Sequence, residues 1–195
     1  MSPRSRLAGI RRVLAKDDVR SLSRRYFIAN GFDGTLTSIG VVVGAYLSGI
    51  GDGIVVIGIG LGAAVGLGTS GIWSIWEIER AETSIEQREL EASMLIELDD
   101  TRLSRDLRNE QIVLALAAAS GPIIGIVVTL TPFLFAGTAI TMFQALLCSI
   151  GLGIALLAAA GAYLGSISSQ RWYVAAARMG LAGIVVAILS IFLPG

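Results

Sequence analysis

Five apolar stretches, each long enough to cross a bilayer, leave this chain few folds to choose from. They run from about Ile28 to Ile50, Ile54 to Trp76, Ile112 to Ala136, Thr138 to Gly165 and Val174 to Leu193. A hydrocarbon core takes about 20 apolar residues as helix. Inside it every backbone polar group needs a partner, which a helix supplies within its own segment. The chain is therefore expected to be an all-α membrane protein with five transmembrane helices. Of its 195 residues 54% are hydrophobic and 15% charged, which suits that class.

The breaks between stretches are polar or conformationally special. Gly51-Asp52-Gly53 makes a tight turn, Pro122 predicts a kink, and Thr131-Pro132 closes the third stretch. Residues 166–171 form a short polar link. Cations orient the whole: with the N-terminus in the cytoplasm, all fifteen Lys and Arg residues fall on the cytoplasmic side. The expected organisation is a basic segment over 1–26, helices 1 and 2 over 27–76, an acidic helical insert over 77–111, and helices 3–5 over 112–195. The N-terminus and the insert are then cytoplasmic. Eight cations lie in the first 25 residues, and Ile10, Val13 and Leu14 have helical spacing. That segment is either an amphipathic helix lying on anionic headgroups or a basic tail without fixed structure. It has no continuous apolar run before residue 27, so a cleaved signal peptide is not expected.

Composition also excludes chemistry. There is no histidine, which removes imidazole acid–base catalysis, serine–histidine dyads and imidazole metal ligands. The one cysteine, Cys148, allows no intrachain disulfide and is expected as a small buried residue. Gly58, Gly62 and Gly66 form a ladder of small residues at every fourth position, and Gly40/Gly44 and Gly161/Gly165 repeat it. Such ladders bring backbones together within a bundle or across a dimer.

Eleven of the fifteen carboxylates fall between Glu77 and Glu110. No Gly or Pro occurs between Ile72 and Ser120, so this segment reads as helix. At about 100° per residue, Glu79, Glu82, Glu86, Glu89, Glu97 and Asp100 share an arc of roughly 80° on an unbroken helix. Like charges so placed repel. They are either a metal-collecting face or a solvated face partly neutralised by neighbouring arginines. Oxygen-only donors suit Mn²⁺, Fe²⁺, Mg²⁺ or Ca²⁺. Asp33 is the sharpest single residue, because an ionisable group inside a span costs roughly 2.5–3.5 kcal/mol. It either serves a pathway or caps a helix at the interface. Glu77 leaves the apolar layer at the end of the second stretch, beside Trp73 and Trp76. Asp33 and Glu77 thus belong to the same end of two consecutive antiparallel helices and could share a cation.

These residues resemble the vacuolar iron transporter family. Gly31-Phe32-Asp33-Gly34-Thr35 is similar to its Asp-Gly first-helix signature, and Ser74-Ile75-Trp76-Glu77 to the end of its second helix. Leu130-Thr131-Pro132-Phe133 is similar to the proline-bearing end of its third helix. Glu86, Glu89, Glu97 and Asp100 reproduce the family's Glu-x2-Glu-x7-Glu-x2-Glu spacing, with Asp in the last place. Trp73 stands where the family pattern has methionine, and Trp76 where glycine is common. The resemblance implies that those four acids bind metal, and that Asp33 with Glu77 or Glu79 lines a path between two protomers. It implies a homodimer that exchanges Fe²⁺ or Mn²⁺ for protons.

The expected function is therefore export of divalent metal from the cytosol by proton antiport. The partners would be metal ions, protons, lipid and a second copy, with no nucleic acid, no cofactor and no enzymatic activity. The candidate metal residues are Asp33, Glu77, Glu79, Glu82, Glu86, Glu89, Glu97 and Asp100. The alternative is a membrane-anchored metal-binding or scaffold protein that does not transport. A CDP-alcohol phosphotransferase would need Ala-Arg and two further aspartates after the Asp-Gly, where Thr37-Ser38 stands. A rhomboid-like protease would need a histidine to pair with Ser70.

Overall fold

The structure, a computed structural model, describes residues 13–94 and 102–192. Five long helices account for most of them: α1 (Asp17–Leu47), α2 (Gly53–Met94), α3 (Arg102–Leu130), α4 (Met142–Ile167) and α5 (Trp172–Phe192). A short 3-10 helix, Thr131–Phe135, extends α3. Each long helix carries a segment long and apolar enough to cross a membrane. The all-α, five-span reading holds.

Local chemistry sets the helix ends. Asp52 accepts from the Ile54 backbone N–H (2.8 Å), satisfying one orphan donor at the start of α2. Thr141 and Gln144 cap α4 reciprocally. At the end of α1 the Ser48 N–H returns to the Gly44 carbonyl, and Gly49 takes a left-handed φ of 76° that suits glycine. The first helix starts at Asp17, ahead of the apolar run. Hydropathy marks where lipid begins, and a helix continues past that level into the headgroups. Asp17 and Asp18 in its first turn favour the positive helix terminus. Val13, ahead of α1, is fully buried against Val19, Ile75, Leu114 and Ala118, so the chain here is held against the bundle. Residues 1–12, including Ile10, lie outside the described residues.

The second and third helices are also longer than their lipid-crossing parts. Residues 77–94 continue α2 and residues 102–111 begin α3, so the acidic stretch is built from extensions of two spans. These extensions stay in contact: Gln111 donates to the Thr83 hydroxyl (3.0 Å) and more weakly to the Glu79 carbonyl (3.4 Å).

Without a hydrophobic force between helices in lipid, close contact must come from small residues. The tightest crossing joins α1 to α3. A Cβ on Gly121 would lie 2.3 Å from the Phe27 carbonyl oxygen, and one on Gly34 would lie 2.4 Å from the Pro122 Cα. Gly161 and Gly165 do the same for α4 against α5, meeting Ala175 and Trp172. The central α3 is further pinned by hydroxyls. Thr129 donates to the Gly125 carbonyl (2.9 Å) and shares a hydrogen bond with Ser38, while Ser149 donates to the Thr129 carbonyl (2.6 Å). Ser38, Thr129 and Ser149 are all buried, so each helix-bridging hydroxyl is satisfied where water is absent. Cys148, expected buried, instead faces outward. In a membrane protein an apolar neighbourhood in sequence describes the lipid face as well as the core.

Candidate functional site

Pro122 is the starting point for the site. It has no N–H, so the carbonyl of Ala118, one turn earlier, loses its helical partner. Asn30 of α1 replaces it, donating Nδ2–H to the Ala118 oxygen at 3.0 Å. This bond and the Gly34–Pro122 contact fix α1 against α3. Asp33, one turn after Asn30, is thereby set at the edge facing α2.

There it lines a shallow cleft of about 110 Å³ with Asn30, Leu67, Ser70, Gly71, Ser74 and Pro122. Along α1, Asp33 stands eight residues, or about 12 Å, beyond Arg25, the last cation of that helix. It is exposed on the surface of the chain and, among the described residues, has no hydrogen bond or ion pair. Ser70 and Ser74 are exposed too, and among the described residues their hydroxyls have no hydrogen-bond partner. The cleft therefore offers one carboxylate, two hydroxyls and the Asn30 amide oxygen. All its donors are oxygens, which suits hard or borderline cations.

Glu77 lies three residues past Ser74, on the same side of α2 as Ser70 and Ser74 by helical spacing. It is exposed, with Arg80 4.0 Å away. Glu79 points elsewhere: it is half-buried and accepts a hydrogen bond from the Tyr26 hydroxyl at 2.8 Å. Glu82 and Glu89 are exposed on the α2 extension. Glu86 belongs to the same helix, but its side chain, like Glu97 and Asp100, lies outside the described residues. Among the described residues no three acidic side chains converge on one point. The fold thus joins Asp33 to Ser70 and Ser74, leads from there to Glu77, and separates Glu79.

Two contributors, Asn30 and Ser70, do not stand out in the sequence. Asn30 has a signal in hindsight, since a proline in the third span leaves a carbonyl that some neighbouring donor must satisfy. The glycine ladder of α2 also gains a role. Gly58, Gly62, Gly66, Ser70 and Ser74 recur at every fourth residue, forming a ridge inclined to the helix axis. A Cβ on Gly58, Gly62 or Gly66 would meet nothing within 4 Å. The ridge is open, and it leads into the Asp33 cleft.

Residues 73–194 match the sequence profile of the VIT family. The chain belongs to the VIT family. An uncharacterized protein of Methanocaldococcus jannaschii is 30% identical over 168 residues, covering 85% of each chain. The matched VIT segment takes in Glu77, Glu79 and the acidic extension and begins after Asp33. Family membership and the five apolar helices together make this VIT-family chain a multi-pass integral membrane protein of a transporter family.

Proposed function

We propose that the protein moves Fe²⁺ or Mn²⁺ out of the cytosol in exchange for protons. What carries the reading is Asp33: an unpartnered carboxylate among oxygen donors, about 12 Å inward of the nearest cation on its own helix. Such a group is expensive to hold in lipid unless an ion or proton uses it. Metal and proton compete for the same oxygens, which gives the exchange. In this mechanism Glu82, Glu86, Glu89, Glu97 and Asp100 gather M²⁺ at the inner face. Glu77 passes it to Asp33, Ser70 and Ser74, and protons from the far side displace it.

A single protomer supplies one carboxylate here, too few for a divalent ion. A homodimer packed along the open Gly58–Gly62–Gly66 ridge supplies a second Asp33 beside the first. The N-terminus and the acidic extension are placed in the cytoplasm, on the support of the cation distribution. The deciding experiment is metal uptake by proteoliposomes, with Fe²⁺, Mn²⁺, Mg²⁺ and Ca²⁺ compared under an imposed pH gradient. Uptake of Fe²⁺ or Mn²⁺ coupled to counter-flow of protons is expected, and Asp33→Asn is expected to abolish it. Wild-type flux in that variant refutes the mechanism. Metal binding with no uptake by the wild-type protein points instead to a scaffold or storage role.

A further inference from the structure

We propose that the cleft between α1, α3 and α4 holds one anionic phospholipid, from the leaflet on the N-terminal side of the bundle. An acyl chain fills the cleft and the headgroup rests on Arg20 and Arg24. This inference is independent of the transport reading.

The cleft encloses about 570 Å³, within the range of about 300–1,000 Å³ typical of ligand sites. On α1 it reaches from Ser23 to Thr35. Twelve residue steps of helix span about 18 Å, enough to cover the roughly 15 Å of a single leaflet's hydrocarbon. Phe27, Ile28 and Phe32 line one side, Gly121 and Gly125 the floor, and Ala159 of α4 the other side. At the deep end the Thr35 hydroxyl already donates to the Gly31 carbonyl (2.8 Å), so nothing there asks for a polar ligand.

The mouth is different. A second cavity of about 270 Å³, lined by Asp17, Arg20, Ser21, Arg24 and Tyr163, shares Arg24 and Tyr163 with the first. Two guanidinium groups face one carboxylate, Asp17, leaving a net positive charge. Among the described residues neither arginine makes an ion pair. Beside them the Ser23 hydroxyl is buried without a hydrogen-bond partner and lines the apolar cleft at its mouth, next to Arg24. A buried hydroxyl without an acceptor is costly, and a phosphate or ester oxygen at this level would supply one. Apolar depth, basic mouth and an orphan donor at their junction match a lipid with a negative headgroup. A soluble phosphate would leave the apolar part unfilled.

The test is native mass spectrometry of the full-length protein released from detergent, after titration with phosphatidylglycerol or phosphatidylcholine. Wild-type protein is expected to retain one phosphatidylglycerol per protomer in preference to phosphatidylcholine. Excess glycerol 3-phosphate is expected not to displace it. Arg20→Gln with Arg24→Gln should lower the preference on the order of 30-fold. Arg25→Gln, a neighbouring exposed cation outside both cavities, should leave it intact. Ala159→Trp, at an exposed position on the wall, should remove the retained lipid while the arginines remain. Equal retention of the two lipids by the wild-type protein overturns the proposal. So does an unchanged preference in the double variant, or displacement by glycerol 3-phosphate. If Ala159→Trp alters oligomer mass but not lipid retention, the cleft belongs to a second copy and the proposal fails.

Discussion

Glu77 and Glu79 are two residues apart and chemically alike, yet the fold assigns them different surroundings. Glu79 turns toward α1 and accepts from Tyr26. Glu77 stays on the side that carries Ser70 and Ser74. Two variants should therefore separate. Glu77→Gln is expected to reduce metal flux in proteoliposomes severely, with an unchanged melting temperature in detergent. Tyr26→Phe removes a hydrogen bond worth about 1 kcal/mol and should lower the melting temperature while leaving flux near wild type. Severe flux loss in Glu79→Gln alone, at unchanged stability, would exchange the two roles. The sequence could not make this distinction, because neighbouring helix positions differ by about 100° and the register of Glu77 against α1 is a tertiary fact.

Helices α1 and α3 touch backbone to backbone, and the Asp33 cleft depends on that crossing. Gly121→Ala would put a methyl group 2.3 Å from the Phe27 carbonyl oxygen, which cannot move without moving α1. We expect Gly121→Ala to destabilise by roughly 1–3 kcal/mol, read as a lower melting temperature in detergent. Gly44→Ala, which meets nothing within 4 Å, should be silent in the same assay. The spans themselves were plain in the sequence, since runs of apolar residues separated by Gly-Asp-Gly or a serine-rich link admit few other readings. What could not be read was the direction each glycine faces. Gly161/Gly165 and Gly58/Gly62/Gly66 have the same spacing, but the first pair is sealed against α5 and the second set is bare. Asp33 was legible as an anomaly of composition. Ser74 was visible beside Glu77, but Asn30 and Ser70 were not legible as its companions, because ordinary polar residues in apolar runs acquire meaning only when helices are placed side by side.

The bare ridge on α2 bears on assembly. Gly62→Leu adds bulk where the protomer has open space, so the fold should survive it. If two copies pack along this ridge, that variant should run as a monomer in light scattering at an unchanged melting temperature, and it should lose transport. A dimer of unaltered mass would place the contact elsewhere. The same helix has another property that follows from its length. α2 contains 42 residues, or about 63 Å of helix, against a hydrocarbon layer of about 30 Å. From Ile72 to Met94 no glycine or proline interrupts it. Ser74, beside Asp33, and the acidic residues past Glu77 therefore stand on one continuous rod, which ties the reach of the charged end to the position of the cleft.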